Sequence, residues 1–143
     1  VGSLQLYIDA DPGEHYFTLY DRRPALWDDL RAIALFDLVA NNADRKSGHV
    51  LHGPDGRIHG IDHGLCFAAE YKLRTVIWDF AGEPLPPVLL DQVRPLLEEV
   101  PAVLAELLDA DEVAALQARV RRLLETGRFP FDRTGRRVPW PPV

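Results

Sequence analysis

Methionine is absent from the chain altogether, and cysteine occurs once, as Cys66. A single cysteine excludes an internal disulfide and is consistent with a reducing compartment. With no methionine even at position 1, Val1 is expected not to be the natural start, and the chain is expected to be the C-terminal part of something longer. No apolar run approaches the roughly 18 residues needed to span a bilayer. The first residues lack the basic-then-apolar layout of a signal peptide, so a cytoplasmic location is expected. Positive charge is also short: 16 Lys and Arg stand against 22 Asp and Glu, a formal net charge of −6. No global field therefore attracts a phosphate polymer, and nucleic acid is not an expected partner.

What is present suits one globular domain with a real core: 143 residues, 47% hydrophobic and 27% charged. "SLQLYID" (residues 3–9) alternates like a short strand, and "DADPGEH" (9–15) is turn chemistry. A polar stretch runs to Pro24. "ALWDDLRAIALFDLVA" (25–40) predicts a helix whose second half is apolar except at Asp37, the pattern of an interior helix, with Asn41 and Asn42 at its end. "HVLH" and "RIHGID" flank "GPDG", a hairpin signal. Residues 70–87 read as irregular. The rest reads as helical, with a kink near Pro95, a start at Pro101, a capping-box pair Asp109 and Glu112, and a stop at Gly127. The closing "RFPFDRTGRRVPWPPV" is expected to wrap the surface or stay mobile. The order fits a mostly helical α+β body carrying a small hairpin, and it lacks the repeated βα units of a doubly wound sheet.

Four of the five histidines, His49, His52, His59 and His63, fall within fifteen residues beside Asp44 and Asp62. Asp44 and Arg45 follow the buried helix, His49 opens the first hairpin strand, and Asp62 closes the second. Adjacent strands bring such ends together, so His49 and Asp62 form a candidate metal site. Oxygen ligands suit Mg²⁺ or Mn²⁺, and the imidazole tilts the choice toward Mn²⁺ or softer ions. The plainer readings are a turn aspartate at Asp44, half-exposed strand histidines, and a buried ion pair between Asp37 and Arg45, since a carboxylate inside an apolar helix needs a partner. His52 and His59 read as hairpin-tip residues.

"DRKSGHVL" followed by "GIDHGLCF" resembles the catalytic half of the phosphatidylinositol 3- and 4-kinase-like superfamily. "LFDLVANNADRK", "KLRTVIWDFAGEPLP" and "PWPPV" are similar to an actinobacterial group related to those kinases. The resemblance implies the C-terminal lobe of a protein-kinase-like fold. It makes Asp44 and Arg45 the catalytic-loop pair, with Asp44 orienting an acceptor hydroxyl and taking its proton. It makes Asp62, in Ile61-Asp62-His63-Gly64, the holder of the metal that bridges the nucleotide phosphates. His49 falls where the family has a metal-binding Asn. Lys46 and Ile61 would contact the cofactor, ATP with Mg²⁺ or Mn²⁺. The resemblance also makes residues 1–9 the hinge strand to an N-terminal lobe of the same polypeptide, without which turnover is expected to be small. The acceptor is an unknown hydroxyl. Lys72 and Arg74 are the cations of the segment that reads the head group in lipid kinases. Two other readings stand beside this phosphotransferase: a non-catalytic kinase-like module that binds nucleotide or a partner, favoured by His49 in place of Asn, and a metal-dependent hydrolase built on the His and Asp cluster.

Overall fold

The central helix of the structure, α2 (Trp27–Ala40), follows from its sequence turn by turn. Asp28 and Asp29 sit in its first turn, where carboxylates complement the helix dipole. Leu30, Ala34, Leu35, Leu38 and Val39 recur at helical spacing and are buried. The helix ends at Asn41, whose φ of 56° and ψ of 48° is a left-handed conformation that asparagine tolerates better than most residues. Phe36 departs from the expectation of an all-buried second half: it is partly exposed, on the wall that faces His63.

The computed structural model describes residues 2–143, and Val1 lies outside them. Its architecture is α+β and mostly helical, as expected, with one two-stranded antiparallel sheet. Around α2 lie α1 (Tyr16–Arg22), β1 (Val50–His52), β2 (Ile58–Gly60), α3 (Pro87–Val93), α4 (Ala102–Ala105) and α5 (Ala110–Thr126). Short 3₁₀ turns at Pro24–Leu26, Ser47–His49 and Arg94–Leu97 join them, the last marking the expected break at Pro95. In the hairpin, Val50 pairs with Gly60, Leu51 with His59 and His52 with Ile58. Its turn closes through Gly56 at φ 77°, a backbone state that favours glycine. α5 begins at Asp109, whose N–H is accepted by the Glu112 side chain at 2.9 Å, and stops at Gly127 with φ 63°. Leu116, Val120 and Leu123 of α5 share one core with α2, Leu73, Val76, Ile77 and Phe80.

Two expectations are corrected. Residues 2–9 form no strand, and Leu4, Leu6 and Tyr7 are exposed. A strand needs a hydrogen-bonding neighbour, and none lies beside this segment among the described residues. The stretch before Pro24 is not merely polar: it holds α1, where Tyr16 and Leu19 are fully buried one turn apart and the Thr18 hydroxyl accepts the His15 N–H at 2.9 Å. The Tyr16 hydroxyl donates to Asp79 at 2.6 Å, and burial raises its pKa. Of the two courses expected for the C-terminal tail, it takes the first: it wraps the body, with Phe129 and Pro139 buried and backbone bonds described below.

The turn before α1 is tied to the hairpin tip. Glu14 meets His52 at 2.7 Å and Arg23 at 2.9 Å. The His52 hydrogen bond, joined by the Arg23 contact, holds the Glu14 carboxyl below its usual 4.5. A depressed carboxyl pKa stabilises the fold above the unfolded value, and that contribution disappears as pH falls through the folded pKa. Glu14→Gln is therefore expected to lower stability at pH 7 by about 1 kcal/mol or less, the scale of partly exposed ion pairs. The difference between the two melting temperatures should vanish well below pH 4.5. An equal deficit at pH 3 would show that the charge is irrelevant.

Candidate functional site

The loop after α2 is built on two buried asparagines and one buried ion pair. Asn41 donates from its side-chain amide to the Ala68 and Glu70 carbonyls at 2.9 and 2.7 Å and accepts the Lys72 N–H at 2.9 Å. Asn42 donates to Asp37 at 3.0 Å and accepts the Asp44 N–H at 3.1 Å. Asp37 and Arg45 are both at 0% exposure, and the guanidinium donates to the carboxylate through Nε and Nη2 at 3.0–3.1 Å. Burial of such a pair is tolerable only with its remaining hydrogen-bonding capacity met. Thr75 donates to Asp37 at 3.3 Å, while Arg45 Nη1 donates to the His49 and Ile61 carbonyls at 3.2 and 2.9 Å. Arg45 thus links the helix to both ends of the hairpin.

Residues 74–76 run parallel beside this loop. Arg74 N–H donates to the Asn42 carbonyl, Arg45 N–H to the Arg74 carbonyl, and Val76 N–H to the Arg45 carbonyl, at 2.9–3.1 Å. The backbone around Asp44 is therefore fixed on both sides. The Asp44 carboxylate itself stays 32% exposed, with Lys46 Nζ at 3.8 Å.

The turn Ser47–His49 delivers the His49 ring to the loop. Its Nδ1 lies 3.0 Å from the Asp44 carbonyl oxygen and 3.3 Å from the Lys46 N–H. These two neighbours ask for opposite tautomers, and the shorter contact favours a proton on Nδ1 donating to Asp44. The other ring nitrogen, Nε2, lies 3.3 Å from Asp62 Oδ2. Asp62, just past β2, has φ 58°, an uncommon conformation for a side-chain-bearing residue and one often found at functional positions. The Ile61 N–H donates to the His49 carbonyl at 3.0 Å, so the strand ends bring His49 and Asp62 together as the spacing suggested.

The expected site residues are placed as follows. Asp44, Lys46, His49 and Asp62 follow one another as neighbours: Lys46 Nζ is 3.8 Å from the Asp44 carboxylate, and the His49 ring touches the Asp44 carbonyl on one side and Asp62 on the other. Arg45 is fully buried in its ion pair with Asp37. Ile61 contributes its backbone, with its side chain partly buried. The four histidines do not converge. His49 meets Asp62, His52 meets Glu14, and His59 meets Asp55 at 3.2 Å. His63 lies against Phe36 with ring centroids 4.8 Å apart, beside a hollow of about 260 Å³ between α2 and β2. Although His63 is exposed as a whole, desolvation of its ring, aided by nearby Arg45, lowers its pKa. Burial pushes the half-buried Cys66 thiol up to about 11, away from the thiolate form.

Among the described residues no group of three or more His, Cys, Asp or Glu side chains can hold a metal ion. The hydrolase reading therefore lacks the three-ligand set that a catalytic zinc requires. A cation held by His49 and Asp62 would have to take its other ligands from phosphates and water. A histidine whose Nδ1 is held by a backbone carbonyl is also arranged as metal-binding histidines are. Sequence reasoning missed the bracing residues Asn42, Thr75, Ser47 and the tail. The doubled asparagine after an apolar helix was the one available signal.

No family model and no solved structure matches the chain. Over 116 residues, 78% of its length, it is 45% identical to protein Rv2133c of Mycobacterium tuberculosis (strain ATCC 25618 / H37Rv), of which it spans 42%. Over 99 residues, 61% of its length, it is 33% identical to phosphatidylinositol 4-kinase gamma 4 of Oryza sativa subsp. japonica, of which it spans 16%. The chain spans less than half of either relative. No helix among the described residues is long and apolar enough to cross a membrane.

Proposed function

We propose that this chain is the catalytic-loop half of a metal-dependent phosphotransferase that moves the γ-phosphate of ATP to a hydroxyl acceptor. The observation that carries the reading is the meeting of His49 Nε2 and Asp62 Oδ2 at 3.3 Å, with the His49 ring also held at the Asp44 carbonyl and the Asp44 carboxylate partly exposed. The partial likeness to a phosphatidylinositol 4-kinase agrees with it. Asp44, held by Asn42 and by the parallel segment, orients the acceptor and takes up its proton. His49 and Asp62 hold the divalent cation, which when bound offsets negative charge on the phosphates. Lys46 adds a cation next to Asp44. Arg45 and Asp37 keep the loop and hairpin in register. An N-terminal lobe of the same polypeptide would complete the ATP site.

A second reading, a non-catalytic kinase-like module that binds nucleotide or a partner, is favoured by His49 in place of the expected asparagine. Thermal shift with ATP and Mg²⁺ or Mn²⁺, measured on the complete polypeptide, tests the nucleotide site common to both readings. Ligand that binds only the folded state raises the melting temperature, by about 2.7 kcal/mol of stability at a hundredfold excess over Kd. A metal-dependent rise that Asp62→Asn removes supports the site. No rise with either metal overturns it.

A further inference from the structure

Resting on the His49–Asp62 site just proposed, we infer that the C-terminal tail is a positioning element for it: the Pro142 carbonyl fixes the turn that aims His49. Ser47, the first residue of that turn, is fully buried and donates its N–H to the Pro142 carbonyl at 2.8 Å. Its hydroxyl is buried without a partner, so the backbone bond is what holds Ser47 to the tail. Two residues later His49 ends the turn, so a displacement of Ser47 carries directly to the imidazole.

The tail is held firmly enough to do this. The Arg137 carbonyl accepts the Thr75 N–H at 3.0 Å and the Trp78 Nε1–H at 3.1 Å. The Arg137 guanidinium lies 4.2 Å over the Tyr71 ring, a cation–π contact. Asp132 organises the preceding bend by accepting the N–H groups of Thr134, Gly135 and Arg137 at 2.9–3.0 Å. Pro139 is buried between these anchors and Pro142. The tail therefore touches the loop that carries Asp44 and His49 at Ser47, and the segment that braces it at Thr75. Thr75 in turn reaches Asp37. Trp140, by contrast, projects into solvent at 90% exposure and takes no part in the clamp.

Three forms of the protein test this: deletion of Pro141–Val143, Ser47→Pro, and Trp140→Ala. Proline suits position 47 because it opens a helical turn and Lys46 before it is extended, at φ −89° and ψ 162°. That variant removes the donor and sets the ring Cδ where the hydrogen stood, which pushes the Pro142 carbonyl away. The readout is ¹⁵N NMR of the histidine side chains, with Mn²⁺ alone as the probe of the metal site. Deletion and Ser47→Pro are expected to move the His49 ring resonances toward an averaged tautomer while those of His52 and His59 stay put. Both should weaken Mn²⁺ broadening of His49 about tenfold or more, the usual cost of disturbing a metal ligand's support. Trp140→Ala should change neither. In the unaltered protein the Ser47 amide should be protected from hydrogen exchange. An unprotected Ser47 amide overturns the inference, and so does a His49 signal unmoved in either variant or one that moves only together with all the other histidines. If His49 moves but Mn²⁺ broadens nothing in the unaltered protein, the clamp stands and the metal reading falls. If Mn²⁺ broadens His49 equally in all forms, the metal reading stands and the clamp falls.

Discussion

Asp37→Ala is expected to destabilise the protein by about 3–5 kcal/mol, the cost of leaving one member of a buried ion pair alone. The loss is large because Asp37 serves three donors at once: Arg45, Asn42 and Thr75. Against a typical total stability of about 5–15 kcal/mol, a loss of that size leaves little margin. Urea unfolding measures it directly. The double replacement Asp37→Leu with Arg45→Met gives a sharper result. Matched apolar groups often replace a buried ion pair at little cost, so most of the lost stability should return. The site should not return with it, because Arg45 also ties the His49 and Ile61 carbonyls. Stability restored without metal binding would show that the pair is kept for the geometry of the hairpin mouth. A double variant that binds metal as well as the original would show that the hairpin needs no such tie.

The parts of the fold that were legible in the sequence are those governed by neighbours along the chain. α2 declares itself by apolar spacing, the hairpin by Pro54-Asp55-Gly56 between β-rich runs, and α5 by its cap pair and terminal glycine. The Asp37–Arg45 pair was legible for an energetic reason, since a carboxylate inside an apolar helix has to be answered by something. The α1 helix was missed because its buried face rests on only two fully buried residues, Tyr16 and Leu19, within a polar segment. The expected strand at residues 3–9 failed because alternation creates a strand only where an edge awaits it. Density in sequence was also a poor guide to density in space. Leu51 pairs with His59 and His52 with Ile58, so the two-residue period of the strands sends His52 and His59 to opposite faces. Only His49, placed by a turn before the strand, reaches Asp62. The tail bonds to Ser47 and Thr75 join backbone groups far apart in the chain and leave no mark in composition or period.

Asp44→Asn is expected to separate catalysis from binding more cleanly than any other single change. The amide is isosteric with the carboxylate, the Asp44 N–H bond to Asn42 uses only the backbone of residue 44, and the parallel segment bonds to Asn42 and Arg45 on either side of it. The contact with Lys46 at 3.8 Å is partly exposed, so its loss should alter stability by at most about 1 kcal/mol. On the proposed reading, what disappears is the group that takes the acceptor's proton. Loss of a positioned general base lowers kcat by about 10²–10⁴-fold, and KM for ATP should stay close to its original value because the cation site at His49 and Asp62 is untouched. Asp62→Asn should instead abolish nucleotide binding and turnover together. The two variants thus distinguish the readings of this chain. A phosphotransferase shows loss of kcat alone at position 44 and loss of both properties at position 62. A non-catalytic module has no kcat to lose, and Asp44→Asn leaves its nucleotide-dependent thermal shift unchanged. A fall in nucleotide binding on Asp44→Asn as large as that on Asp62→Asn would contradict both assignments, because it would make Asp44 a cation ligand in place of the proton acceptor.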